Sequence, residues 1–187
     1  MKLITGLGNP GEKYKNTRHN AGFICIDSLY ERLNSLNEFY MTEWKKDKFS
    51  NSEISFLKLG SEVKAILQKP QTYMNNSGSA VLKLIKIHKV LDLKNNFMLI
   101  HDDLDIELGK SKIQVGKGPH GHNGVNDIIN RLKADEFTSI RIGIESRIDD
   151  EINGEDFVLM NFTEEERKIL DNVIEKTIES IIPLILS

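Results

Sequence analysis

Short apolar runs alternate along this chain with stripes of apolar residues at helical spacing, and that alternation limits the fold more than any other feature. KLITGL at 2–7 reads as a strand, and the stretch from Ala21 to Leu36 carries Ile24, Leu29, Leu33 and Leu36 on one helical face. ISFLKL (54–59) and VKAILQ (63–68), parted by Gly60 and Ser61, predict a hairpin whose second strand ends at Pro70. Ser77 is the expected N-cap of a helix bearing Val81, Leu82, Ile85 and Val90. FMLI (97–100) predicts a strand inside the sheet, with Asp102 following almost at once. KIQV (112–115) and SIRIGIE (139–145) bracket a helix marked by Val125, Ile128, Ile129 and Leu132. FVLM (157–160) is expected as an edge segment. Thr163 opens a last helix with acids in its first turn and an apolar face through Ile169, Leu170, Val173, Ile174, Ile178 and Ile181.

Strands alternating with helices imply an α/β fold, and the hairpin makes its sheet mixed. The expected architecture is one domain over 1–187, a mixed, mostly parallel twisted sheet flanked by helices, with a C-terminal helix. A length of 187 residues suits one sizeable core, and 39% hydrophobic with 28% charged residues is ordinary for a globular chain. Cys25, the single cysteine, has no partner for an internal disulfide, which suits a reducing compartment. MKLITGLGNPG reaches glycine and proline too soon for a signal-peptide core, and no run approaches the ~20 apolar residues of a membrane span. A cytoplasmic protein without membrane attachment is expected.

A net charge of −3 argues against wholesale binding to nucleic acid, but its distribution leaves room for a local basic face. Lys13, Lys15 and Arg18 gather at one motif and Lys110, Lys112 and Lys117 at another. Asp149, Asp150, Glu151, Glu155, Asp156, Glu164, Glu165 and Glu166 gather toward the C-terminus. Solvated surface is the plain alternative for these lysines.

In α/β sheets, sites form beyond the C-terminal ends of strands. Four polar segments meet that condition: Asn9 after the first strand, Asn75 after the hairpin, Asp102 after the central strand, and HGHNG (120–124) after the next. Gly6-Leu7-Gly8-Asn9-Pro10-Gly11 formally matches a dinucleotide fingerprint, but Pro10 and EKYKNTRHN delay the helix that should meet the pyrophosphate. His19, just before a helix, is either a helix-start residue or a general base, since imidazole is largely neutral at pH 7. Asp102 is either a turn residue or the carboxylate that orients that base. His120 and His122 near His101, Asp102 and Asp103 raise a metal site, although no HExxH helix is present and the flanking glycines suit a loop of close backbone approach. No serine sits in a GxSxG elbow, and Cys25 lies within a helix. Attack by water remains, with the amides of Asn9, Asn75 and Asn123 either aligning an ester or serving as turn residues.

GLGNPGEKYKNTRHNAGF, KPQTYMNNSG, HDDLD, GHNGVNDI and FTSIRIGIE, in this order over nearly the whole chain, resemble the bacterial peptidyl-tRNA hydrolases. The resemblance implies a cofactor-free monomer acting on peptidyl-tRNA, with His19 as catalytic base, Asp102 orienting it and Asn9 positioning His19 and substrate. It implies that Asn75 and Asn123 hold the peptide part and the terminal adenosine region, that Tyr14 and Met74 line the cleft, and that no metal is needed. Arg141 matches one member of a basic pair that grips the tRNA 5′-phosphate, while the other falls on Gln114. Lys112 or Lys117 is then the candidate replacement, and Gly118-Pro119-His120 stands where the family has a more glycine-rich run. A non-catalytic RNA-binding relative and a metal-dependent hydrolase are the competing functions. The presence of His19, Asp102 and all three asparagines argues against the first.

Overall fold

The computed structural model describes residues 1–148 and 152–187; Asp149, Asp150 and Glu151, counted above among the acids, lie outside the described residues. The strands are β1 (Lys2–Gly6), β2 (Tyr40–Met41), β3 (Lys45–Asp47), β4 (Ser52–Leu59), β5 (Glu62–Pro70), β6 (Phe97–Glu107), β7 (Ser111–Val115) and β8 (Thr138–Glu145). The helices are α1 (Ala21–Asn34), α2 (Ser77–Ile87), α3 (Leu93–Asn96), α4 (Asn123–Leu132), α5 (Gly154–Leu159) and α6 (Glu164–Leu186). The strands form one sheet in the order β2-β4-β5-β1-β6-β8-β7, with β3 also on β4. β5, β1, β6 and β8 are parallel at its centre. β4 and β7 run against them, while β2 and β3 pair antiparallel with β4 and so point with the central strands. The sheet is therefore mixed and mostly parallel, as expected.

Period-two alternation distributes the core over both faces of the sheet. Ile4, Met98, Ile100, Ile140 and Ile142 pack with residues of α1 and α6, including Leu29, Leu170 and Ile178. Their neighbours Leu3, Phe97 and Leu99 pack on the other face with Val81 and Leu84 of α2 and Val125 and Ile128 of α4. Each such side chain contributes about 1.5–3 kcal/mol by leaving water. The two central rings, Phe97 and Phe137, lie 5.0 Å apart.

Three local readings change. FVLM belongs largely to α5, because Asn153 caps it by accepting from the Asp156 N–H at 2.9 Å, and Phe157 and Val158 are buried from a helix. A run of adjacent apolar residues carries no period with which to tell strand from helix. Ser77 is the first residue of α2 rather than its cap, and its hydroxyl donates back to the Met74 carbonyl at 2.9 Å. β6 runs well past Ile100, so Asp102 lies within the strand. Thr163 starts α6 as expected, and Glu166 closes a capping box with it.

Gly22 fixes where α1 meets the sheet. A Cβ there would fall 2.5 Å from the Ile100 carbonyl oxygen and from both N and O of Leu7. These groups are committed to bonds of their own: the Leu7 N–H donates to Ile100 O at 2.9 Å and the Phe23 N–H to Leu7 O at 3.0 Å. Neither can yield without breaking the end of β1. Gly22→Ala is expected to cost about 3 kcal/mol or more, a melting-temperature loss of roughly 6–12 °C read by thermal denaturation.

Candidate active site

β1 stops at Gly6, whose register partner on β6 is Ile100, while β6 continues through Asp102 paired only with β8. The place where β1 would have continued is open, and the segments leading into α1 and α4 enter it from opposite faces. His19 arrives on a 3-10 turn, Arg18–Asn20, directly ahead of α1. That turn is tied down from behind. The Arg18 N–H donates to Met160 O at 3.0 Å, and the guanidinium donates twice to Glu166 at 2.7 Å and once to Asn161 O at 2.7 Å. It also lies 4.1 Å from the centre of the Phe157 ring. Arg18, counted above with a basic surface cluster, is in fact a buried anchor joining the His19 turn to α6.

His19 Nδ1 donates to Asp102, 2.9 Å from Oδ2 and 3.1 Å from Oδ1. A second imidazole shares that carboxylate, since His122 Nε2 lies 3.0 Å from Oδ1. Burial opposes ionisation of Asp102, but the charges and hydrogen bonds of His19 and His122 hold its carboxyl well below the usual range. Burial likewise opposes charging of His19, yet the Asp102 charge and hydrogen bond outweigh it and raise the ring above 6.5. His19 Nε2 has no hydrogen-bond partner among the described residues and is not buried from solvent. The result is an imidazole fixed on one side by a carboxylate and available on the other.

His101 completes the cluster. Its Nδ1–H donates to the Asp102 carbonyl at 2.7 Å, and its ring meets that of His122 edge-on at 4.9 Å. Burial, reinforced by His122, pushes it down to about 4, so it stays neutral at pH 7.

His19, Asp102 and His122 bring ligand atoms within 4.8 Å of one another, the geometry of a possible metal site. The tautomer of His122 opposes that use. Its Nδ1 accepts from the N–H groups of Gly124 at 3.1 Å and Val125 at 3.3 Å, which places the ring proton on Nε2, the atom a cation would need free.

The asparagines divide into two kinds. Asn9 is buried, its Oδ1 accepting the Met74 N–H at 2.9 Å, while Asn20 grips the Asn9 backbone at both N–H (2.9 Å) and carbonyl (3.0 Å). Asn9 therefore makes no direct bond to His19, and its Nδ2 has no partner among the described residues. Asn75, beside buried Met74, and Asn123, the first residue of α4, are exposed, with side chains unbonded among the described residues. Tyr14 is half-buried and meets Tyr73 edge-on at 6.4 Å, with Lys13 4.6 Å from its ring centre.

The basic candidates lie farther along the sheet. Arg141 is buried: its Nε donates to Asp103 at 2.5 Å and its Nη1 to Gln114 at 3.3 Å, with Asp105 4.0 Å away. A guanidinium whose charge is already met by Asp103 is a poor free clamp for phosphate. Lys112, opposite Arg141 in the β7–β8 register, and Lys117 are both exposed. The sequence offered no role for Asn20, and for His122 only a loop or metal role. The one available signal was the HNG of residues 122–124 at the start of a helical stripe, where an imidazole nitrogen can act as the cap.

A mixed α/β sheet whose open strand end holds an imidazole against a buried carboxylate has the groups that proton transfer at histidine requires. The comparisons place the chain in a family of hydrolases. The sequence model of the peptidyl-tRNA hydrolase family matches residues 3–187. A peptidyl-tRNA hydrolase of Sulfurihydrogenibium sp. is 39% identical over 182 residues, covering 97% of this chain and 89% of that protein. One from Mycoplasmopsis synoviae is 40% identical over 176 residues, covering 94% and 85%. The crystal structure of peptidyl-tRNA hydrolase from Acinetobacter baumannii matches with a TM-score of 0.85 at 30% identity, over 99% of this chain and 88% of that one. The chain belongs to the peptidyl-tRNA hydrolase family.

Proposed function

We propose that this chain hydrolyses the ester joining a peptide to the terminal ribose of tRNA, using a water activated by His19. One observation carries the reading: the imidazole is fixed through Nδ1 on an ionised, buried Asp102, while Nε2 has no hydrogen-bond partner among the described residues. Nε2 takes a proton from water as the oxygen attacks the ester carbonyl. When the tetrahedral intermediate collapses, the imidazolium returns that proton to the departing ribose oxygen, giving a free peptide carboxylate and a tRNA hydroxyl. Asp102 stabilises the imidazolium between the two steps without itself taking the proton.

Asn75 and Asn123 have unused amide donors and acceptors for the substrate, and the Nδ2 of Asn9 is a third donor at the cleft. Met74 and Tyr14 supply its walls. The reading requires no cofactor and no metal, and takes residues 1–187 as one domain acting as a cytoplasmic monomer. Among the described residues no helix is long and apolar enough to cross a membrane, and Cys25 is an inert buried thiol pushed up to about 12. For tRNA, exposed Lys112 and Lys117 are better placed than Arg141 to meet phosphate.

The test compares release from N-acetylaminoacyl-tRNA and from free aminoacyl-tRNA carrying the same amino acid. Rapid release is expected only from the blocked form. Equal cleavage of both would reduce the activity to a general esterase.

A further inference from the structure

We propose that His122 is a positioning residue for the reaction: it caps α4 with one ring nitrogen and with the other aims the Asp102 carboxylate at His19. The inference rests on His19 being the base.

The two nitrogens of His122 have different jobs, and the first enforces the second. Nδ1 accepts two backbone N–H groups at the start of α4 and so cannot carry a proton. The single proton of the neutral ring is then on Nε2, which is 3.0 Å from Asp102 Oδ1. Asp102 thus receives one N–H from each face of the sheet, and its plane is set by two donors rather than by His19 alone. A carboxylate on a single donor would swing about Cβ–Cγ, and the imidazole it orients would swing with it.

The groups facing this carboxylate are few. His19 comes from the turn before α1 and His122 from the start of α4, their ring centres 4.9 Å apart. His101, on the same strand, uses its Nδ1–H on the backbone carbonyl of Asp102, not on the carboxylate. Asp103 is turned to Arg141. The side chain of Asp102 therefore has no donor besides His19 and His122 among the described residues. The same cap starts α4 at Asn123, so the orientation of the base and the place of an amide offered to substrate are fixed by one ring.

Two substitutions separate the two jobs. His122→Asn keeps a short side-chain acceptor for the cap, but its amide falls short of Asp102. His122→Gln keeps an N–H at about the reach of Nε2 and gives up the cap. With the second donor gone, the carboxylate acts more strongly on His19. In the Asn variant, kcat should fall about ten- to a hundredfold with KM little changed, and the acid limb of the pH profile should move to higher pH. Its melting temperature should stay near that of the parent. The Gln variant should restore kcat and the acid limb while melting several degrees lower.

An Asn variant with parental kcat and acid limb would leave His122 as a cap only and overturn the proposal, as would equal loss in both variants. Nitrogen-15 NMR of the histidine rings in the unaltered protein reads the same point without turnover. Protonation of His122 at Nε2 is expected, and an Nδ1–H tautomer would overturn the proposal even if neither variant folds. Following the His19 ring by the same method in the Asn variant should show its titration moved up. Failure of the base assignment would instead appear as activity that does not follow that titration.

Discussion

Replacing His19 with alanine is expected to lower kcat toward N-acetylaminoacyl-tRNA by ~10²–10⁴-fold while changing KM much less, because general-base assistance acts in the transition state. The other proposed substrate contacts are on separate elements: Asn75 follows β5 and Asn123 begins α4. The fold should survive. Asp102 loses its 2.9 Å donor but keeps His122 at 3.0 Å, a cost on the order of 1–3 kcal/mol. The turn itself is held by Arg18 on Glu166 and by Asn20 on Asn9, which do not involve the ring. The pH profile supplies an independent reading. A general base must be neutral, so on the proposed mechanism the parent activity should rise with pH through the pKa of His19, which Asp102 has raised above 6.5. The alanine variant should lose that limb along with the rate. A variant that folds and keeps both would remove His19 from the mechanism.

What the sequence revealed, and what it concealed, follows from the range of the forces involved. Strand and helix periods are local, so β1, the hairpin, α4 and α6 were legible, and the acid-rich first turn after Thr163 marked where α6 begins. FVLM was misread because adjacent apolar residues have no period, and its cap, Asn153, acts through one hydrogen bond. His19 and Asp102 stood out through residue type and position at the ends of the elements expected from sequence, although Asp102 lies within β6. Their partners did not, since hydrogen bonding at a site is decided by which buried groups happen to lie within about 3 Å. Asn9 was expected beside His19, yet its side chain bonds Met74, and Asn20 aligns its backbone. Arg18 looked like surface charge until Glu166, far along the chain, was folded against it. Arg141 illustrates the same limit with the opposite outcome: a guanidinium matched to phosphate by position is engaged by Asp103 from the neighbouring strand. Families inherit positions, while partners must be read from the packed structure.

Asp102→Asn should cost about as much as losing the base, ~10²–10⁴-fold in kcat, although every atom of the site remains nearly in place. His122 makes the outcome specific. Its Nε2–H, fixed by the cap on Nδ1, requires an acceptor, so the amide oxygen of the substituted side chain must take the position of Oδ1. The amide NH₂ then occupies the position of Oδ2, 2.9 Å from His19 Nδ1. Two donors cannot share that bond. His19 must shift to the tautomer with its proton on Nε2, where it can no longer accept one from water. Loss of the Asp102 charge also removes what raises the His19 pKa, so the remaining activity should have its acid limb displaced to lower pH, opposite to the shift expected for His122→Asn. Rate measurements across pH, with the two variants side by side, separate a carboxylate that stabilises charge from one that only spaces the ring. A full rate with an unmoved acid limb in Asp102→Asn would show that the carboxylate plays neither part.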